Sequence, residues 1–152
     1  MNPKEVMISP HGAAVVLVTG IVVVACVLLH YECFSLFQKV LSRLTLRVKR
    51  RRILLLMFGL LGLHILDVWL FGFGYYILID DWSESSLQGW QGGGLLEFVY
   101  FSAVVYTTLG LGDLVPHGAI RFMTGTEALT GFLLITWSAS FTFLEMERLW
   151  RK

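Results

Sequence analysis

Charged side chains are scarce in this chain of 152 residues: only 15% are Asp, Glu, Lys or Arg, against 56% hydrophobic. A soluble domain of this size could not cover so much apolar surface, so the composition excludes an ordinary globular protein and places the chain in a bilayer. Net charge is also lacking, at +1. That removes the bulk basicity expected of a nucleic-acid binder. Cysteine is limited to Cys26 and Cys33. Both lie in or beside an apolar run without His/Cys ligand spacing, so they read as small core residues rather than a disulfide framework or metal pair.

What is abundant is long apolar sequence. Three runs, about Ala13 to Tyr31, Ile53 to Ile79 and Phe122 to Leu144, reach the roughly 20 helical residues needed to cross a hydrocarbon core about 30 Å thick. The first has no small-residue cleavage site after it, at His30-Tyr31-Glu32-Cys33-Phe34, and is expected to stay as an anchor. Lys39, Arg43, Arg47, Lys49, Arg50, Arg51 and Arg52 crowd the first connection and Arg148, Arg151 and Lys152 the tail, whereas the stretch from Asp80 to Arg121 has Arg121 alone. The positive-inside rule then predicts an outer N-terminus, a cytoplasmic first connection, an outer second connection and a cytoplasmic C-terminus. A multi-pass protein of the cell (inner) membrane is expected.

In the first connection, Phe37, Val40, Leu41, Leu44 and Val48 recur at helical spacing, with Lys39, Arg43, Arg47 and Arg50 on another face. We expect an amphipathic connector over 37–52 lying along the lipid surface, between an N-terminal spanning unit, 1–36, and a third unit, 53–148. These arginines follow a span rather than sit within one, which argues against a voltage sensor. Outside, Asp81 to Gly94 is polar and glycine-rich and reads as an exposed loop. Leu95 to Thr107 is apolar but, at about 13 residues, too short to span. It must enter the membrane and return. Irregular backbone after it is tolerated at that depth only if it is buried in protein or lines a water-filled path.

The string that follows is Thr107-Thr108-Leu109-Gly110-Leu111-Gly112-Asp113. A dehydrated cation needs a ring of oxygens, which backbone carbonyls supply when successive residues turn C=O toward one axis. Gly110 and Gly112 can take the positive φ this requires. The carbonyls of Thr108, Leu109, Gly110 and Leu111, with the Thr108 hydroxyl at the inner end, would form stacked cation sites running up to Gly112, and Asp113 would stand at the outer mouth. A glycine-x-glycine turn alone is weak; the short helix before it and its external position make it a pore signal.

These residues resemble the potassium channel pore family, whose filter reads Thr-Val-Gly-Tyr-Gly-Asp with a proline soon after. Here Thr108-Leu109-Gly110-Leu111-Gly112-Asp113 leads to Leu114-Val115-Pro116, and Tyr100-Phe101-Ser102 stands one helix earlier. The likeness runs from about Ile53 to the C-terminus. Leu in place of the filter tyrosine is similar to filters of two-pore-domain potassium channels, and the wider layout, with His64, Asp67, Glu127 and Trp137-Ser138-Ala139, to small bacterial proteins of that type with an added first span. The resemblance implies an all-α membrane protein: three transmembrane helices, a re-entrant pore helix and a selectivity-filter loop, assembled as a homotetramer. It implies passive potassium conduction, no enzymatic activity, no cofactor beyond the permeant ions, and as partners only copies of itself, membrane lipid and monovalent cations, without nucleic acid. Two departures stand out. Leu111 has no hydroxyl with which to brace the filter, and Val104 occupies the position where some members keep an acid to partner the aspartate.

Other polar residues carry two readings each. Asp80, Asp81, Glu84, Glu97 and Asp113 make the outer region negative, which fourfold repetition would amplify. His64 and Asp67, three apart on one side of the second span, and Glu127 in the third are expected either to brace the helices or to form a proton-sensitive cluster behind the pore helix. Gly131 is either an inner-helix hinge or a close-packing position. Thr136, Ser138, Ser140 and Thr142 cannot all face one cavity. The alternatives to a potassium channel are a non-selective monovalent cation channel, a haem- or metal-binding redox protein using His30 and His64, and a non-conducting membrane subunit. The redox reading is weakened by depth, since His30 is expected near the cytoplasmic end of its span and His64 about 16 Å up the next. Only Glu145 to Lys152 follow the last span, so no ligand-binding gating domain is expected there.

Overall fold

A computed structural model of the protein describes residues 10–43, 49–80 and 85–151. The elements, in order, are α1 (Pro10–Arg43), α2 (Lys49–Asp80), β1 (Ser86–Gln88), α3 (Leu95–Tyr106), β2 (Val115–His117) and α4 (Ile120–Trp150). Three helices contain stretches long and apolar enough to cross a membrane: Pro10–Val40, Arg51–Ile79 and Ile120–Arg148. α3, with 12 residues, reaches only about 18 Å.

The helices form because long apolar runs in lipid must satisfy every backbone donor and acceptor internally. They pack through one interior. Val15, Val22 and Cys26 of α1, Phe71, Tyr75 and Leu78 of α2, Phe98, Phe101 and Tyr106 of α3, and Ile120, Met123 and Leu134 of α4 share a buried cluster. Leu17, Ile21, Phe58, Leu66, Leu129 and Phe132 are exposed along the spans, as suits a chain whose surroundings are lipid or other subunits.

The connector expected over 37–52 is described only at its ends, where 37–43 continue α1 and 49–52 open α2; the expected stripe residues Leu44 and Val48 and the basic Arg47 lie outside the described residues. α1 continues past Tyr31 because Phe34, with Phe37 beside it, packs against Leu56, Leu60, Leu63 and Phe141, and the Phe34 ring stacks on Phe141 at 4.5 Å. The loop between α2 and α3, expected to be exposed, is instead partly ordered. β1 pairs antiparallel with β2, Leu87 opposite Pro116, and Leu87 and Ser85 are buried. Asp81 and Glu84 lie outside the described residues.

Candidate filter and the polar clusters behind it

α3 is amphipathic in its burial: Phe98, Phe101, Ser102, Val104 and Tyr106 face inward. Glu97 in its first turn suits the positive end of the helix dipole, and the negative end points into the segment that follows. That segment is tied to the last turn of α3 by its own donors. Thr107 N–H donates to Ala103 O at 3.2 Å, Thr108 to Val105 O at 2.9 Å, and Leu109 and Gly110 both to Val104 O at 3.0 and 3.3 Å. Val104 thus contributes through its carbonyl, not its side chain.

With its N–H groups turned back to α3, the string adopts an alternating backbone. φ is positive at Thr108 (57°), Gly110 (60°) and Gly112 (79°), and negative at the residues between. In an extended chain successive carbonyls point to opposite sides; alternating handedness brings them to one side, as a cation-binding column demands. For Thr108 this conformation costs about 1–2 kcal/mol relative to a right-handed one. Strain of this kind is kept where the surroundings enforce it and function uses it. Leu109, Gly110, Leu111 and Gly112 are exposed, and a Cβ built on either glycine would meet nothing within 4 Å. The string therefore presents an open face.

Asp113 ends the string at its C-terminal side. Its Oδ2 accepts a hydrogen bond from Tyr100 Oη at 2.6 Å. That donor, helped by the backbone N–H groups of Asp113 and Leu114, holds its carboxyl below the ordinary aspartate range. Tyr100 lies one turn before Val104, so the α3 face toward the filter supplies a phenol at 100 where an acid at 104 is lacking. Sequence reading had placed Tyr100 only in the aromatic stretch before Ser102.

Among the described residues, His64 and Asp67 fall in one polar cluster and Glu127 in another. In the first, Tyr106 Oη donates to Asp67 Oδ2 at 2.8 Å and lies 3.0 Å from His64 Nδ1, while His30 Nδ1 lies 3.4 Å from the same Asp67 oxygen. In the second, buried Glu127 accepts from Ser102 Oγ at 2.5 Å and from the Tyr75 hydroxyl, and Ser102 is also 2.9 Å from Val68 O. Glu127 therefore joins α4 to α2 and α3 apart from His64 and Asp67. His30 belongs with His64 after all: their ring centroids are 5.1 Å apart. The expected difference in depth disappears because α1 runs on to Arg43, which places His30 about 13 residues from that end and His64 about 15 from the start of α2. The rings touch, so no macrocycle fits between them and the haem reading fails on geometry.

Gly131 lies against the backbone of Tyr106, where a Cβ would collide with the Tyr106 carbonyl, and α4 passes through this point without a break. Ser138 and Thr142 are buried, whereas the exposed hydroxyls of Thr136 and Ser140 bond back to carbonyls of their own helix.

A family model described as an ion channel matches residues 63–148, more than half of the chain, from the middle of α2 through α3 and the alternating string to the end of α4. No curated protein and no solved structure is similar enough to count as a match.

Proposed function

Because the chain belongs to this ion channel family, we propose that it is one subunit of a homotetrameric, potassium-selective pore that conducts passively down the electrochemical gradient. The observation that carries the reading is the alternating backbone at Thr108, Gly110 and Gly112 in an exposed segment, a geometry that lets successive carbonyls turn to one side. One chain offers a single such column, and four around an axis enclose a dehydrated cation. Thr108, Leu109, Gly110 and Leu111 supply the stacked carbonyl sites up to Gly112, with the Thr108 hydroxyl at the inner end. The ring of Asp113 carboxylates raises the local cation concentration at the outer mouth.

The topology proposed is N-terminus outside and C-terminus cytoplasmic, in the cell (inner) membrane. Its support is the distribution of lysine and arginine together with the contact of His11 Nε2 with Ser85 Oγ at 2.6 Å, which puts the start of α1 beside the outer loop. Potassium selectivity is supported by the resemblance of the string and by the Tyr100 to Asp113 bond, which anchors the filter's outer end without a filter tyrosine. The missing hydroxyl at Leu111 favours the second reading, a non-selective monovalent cation pore. Cation flux from liposomes, potassium against sodium, separates them. Faster potassium flux that is abolished in Gly110→Ala supports the first, equal flux of both ions the second, and no flux from the native chain contradicts both.

A further inference from the structure

His30 of α1 and His64 and Asp67 of α2 each offer one donor atom, and the three atoms lie within 4.8 Å of one another. Both imidazoles turn Nδ1 toward the same carboxylate oxygen, at 3.4 and 3.9 Å. His30 and Asp67 are fully buried, and His64 is partly open, with 20% of its side chain exposed. Hydrogen bonds within the chain do not use up this cluster: His30 Nε2 and Asp67 Oδ1 are buried with no partner among the described residues. Native proteins leave few such atoms unpaired, and a bound ion is one of the reasons they are kept.

We propose that His30, His64 and Asp67 hold a divalent transition-metal ion of the zinc type. The donor set selects the ion. Two imidazoles and one carboxylate suit borderline metals, whereas calcium or magnesium would require more oxygen ligands than a single carboxylate provides. Zinc-to-nitrogen bonds of about 2.0–2.1 Å place ligands roughly 3.4 Å apart in a tetrahedron, so the observed spacing closes with small side-chain rotations. Ligation through His30 Nδ1 replaces that nitrogen's hydrogen bond to the Cys26 carbonyl, 3.1 Å away, and leaves the imidazole proton on Nε2. A water completes the fourth position.

Such an ion clips the added first helix to α2. It also draws on the carboxylate to which Tyr106, the last residue of α3 before the filter string, donates its hydrogen bond. Metal occupancy and the Tyr106 bond compete for one acceptor. The site does not depend on the conduction proposal, since it is read from binding alone.

The test uses the full chain, without a polyhistidine tag, stripped with chelator in detergent and dialysed against Zn2+, with metal per chain measured by elemental analysis. We expect one ion per chain, binding at least tenfold weaker in His30→Ala and Asp67→Asn, and unchanged binding in His117→Ala on the exposed outer strand. Absence of stoichiometric Zn2+ in the native chain, or binding indifferent to His30→Ala and Asp67→Asn, overturns the proposal. Should those variants fail to fold, Co2+ bound to the native chain decides: intense visible bands of a tetrahedral site support it, and the weak bands of an octahedral aquo ion overturn it.

Discussion

Tyr100 and Asp113, 13 positions apart in sequence, are joined by a 2.6 Å hydrogen bond from the phenol to the carboxylate, so that the middle of the short helix holds the outer end of the string that leaves its C-terminus. The bond closes a loop: Thr107 to Gly110 are fixed to the last turn of α3 by backbone bonds, and Asp113 is fixed one turn earlier by a side chain. Tyr100→Phe keeps the ring and removes the donor. We expect it to assemble normally while its potassium-to-sodium permeability ratio falls several-fold, measured by reversal potentials under bi-ionic conditions.

The same bond has a pH signature. Tyr100 holds the Asp113 carboxyl below its ordinary range, so the interaction is fully present above the ordinary aspartate pKa of about 3.9 and is lost as pH falls through the depressed value of the folded protein. Conductance titrated from the outer side should therefore stay level from neutral pH down to about 4 and fall only below it. In Tyr100→Phe the fall should begin at higher pH. A midpoint that does not move in that variant would separate Asp113 from the titration.

Glu127 accepts bonds from both Ser102 and Tyr75 in a fully buried setting. Glu127→Ala leaves Ser102 with Val68 O alone and Tyr75 with only the 3.4 Å contact to Thr124 Oγ1, at a total cost of about 1–3 kcal/mol. Glu127→Gln keeps an acceptor oxygen and should lose less. Thermal unfolding in detergent, followed by tryptophan fluorescence, should rank them native, then Gln, then Ala.

Gly131 meets the Tyr106 backbone at the base of the filter string. Gly131→Ala should destabilise the protein by about 1–3 kcal/mol through overpacking. Gly125→Ala, on the same helix with open space around it, should be neutral or stabilising by up to about 1 kcal/mol. Equal melting temperatures for the two variants would contradict the close approach.

Spans and string were legible because their signals are local: a run of apolar residues states its own length, and Gly110 and Gly112 state their own backbone freedom. The string's anchors were less so. Tyr100 was visible as an aromatic, but its bond to Asp113 depends on how the chain turns after Tyr106, which no periodicity encodes. His30 was separated from His64 because the first helix was ended at Tyr31, where continuous hydrophobicity stops; burial of Phe34 against Leu56 and Phe141 extends it and brings the histidines level. Glu127 was grouped with His64 and Asp67 from depth alone, and only the rotation of α4 about its axis directs it to Ser102 and Tyr75 instead. Leu87 looked like part of a solvated loop because its partner, Pro116, lies on the far side of the filter string.

Currents across a planar bilayer containing the purified chain, with potassium on one side and sodium on the other, test whether the alternating string at Thr108, Gly110 and Gly112 forms a potassium-selective pore. We expect a reversal potential displaced strongly toward the potassium equilibrium potential, and no current from Gly110→Ala. A reversal potential near zero, or no current from the native chain, would contradict this expectation.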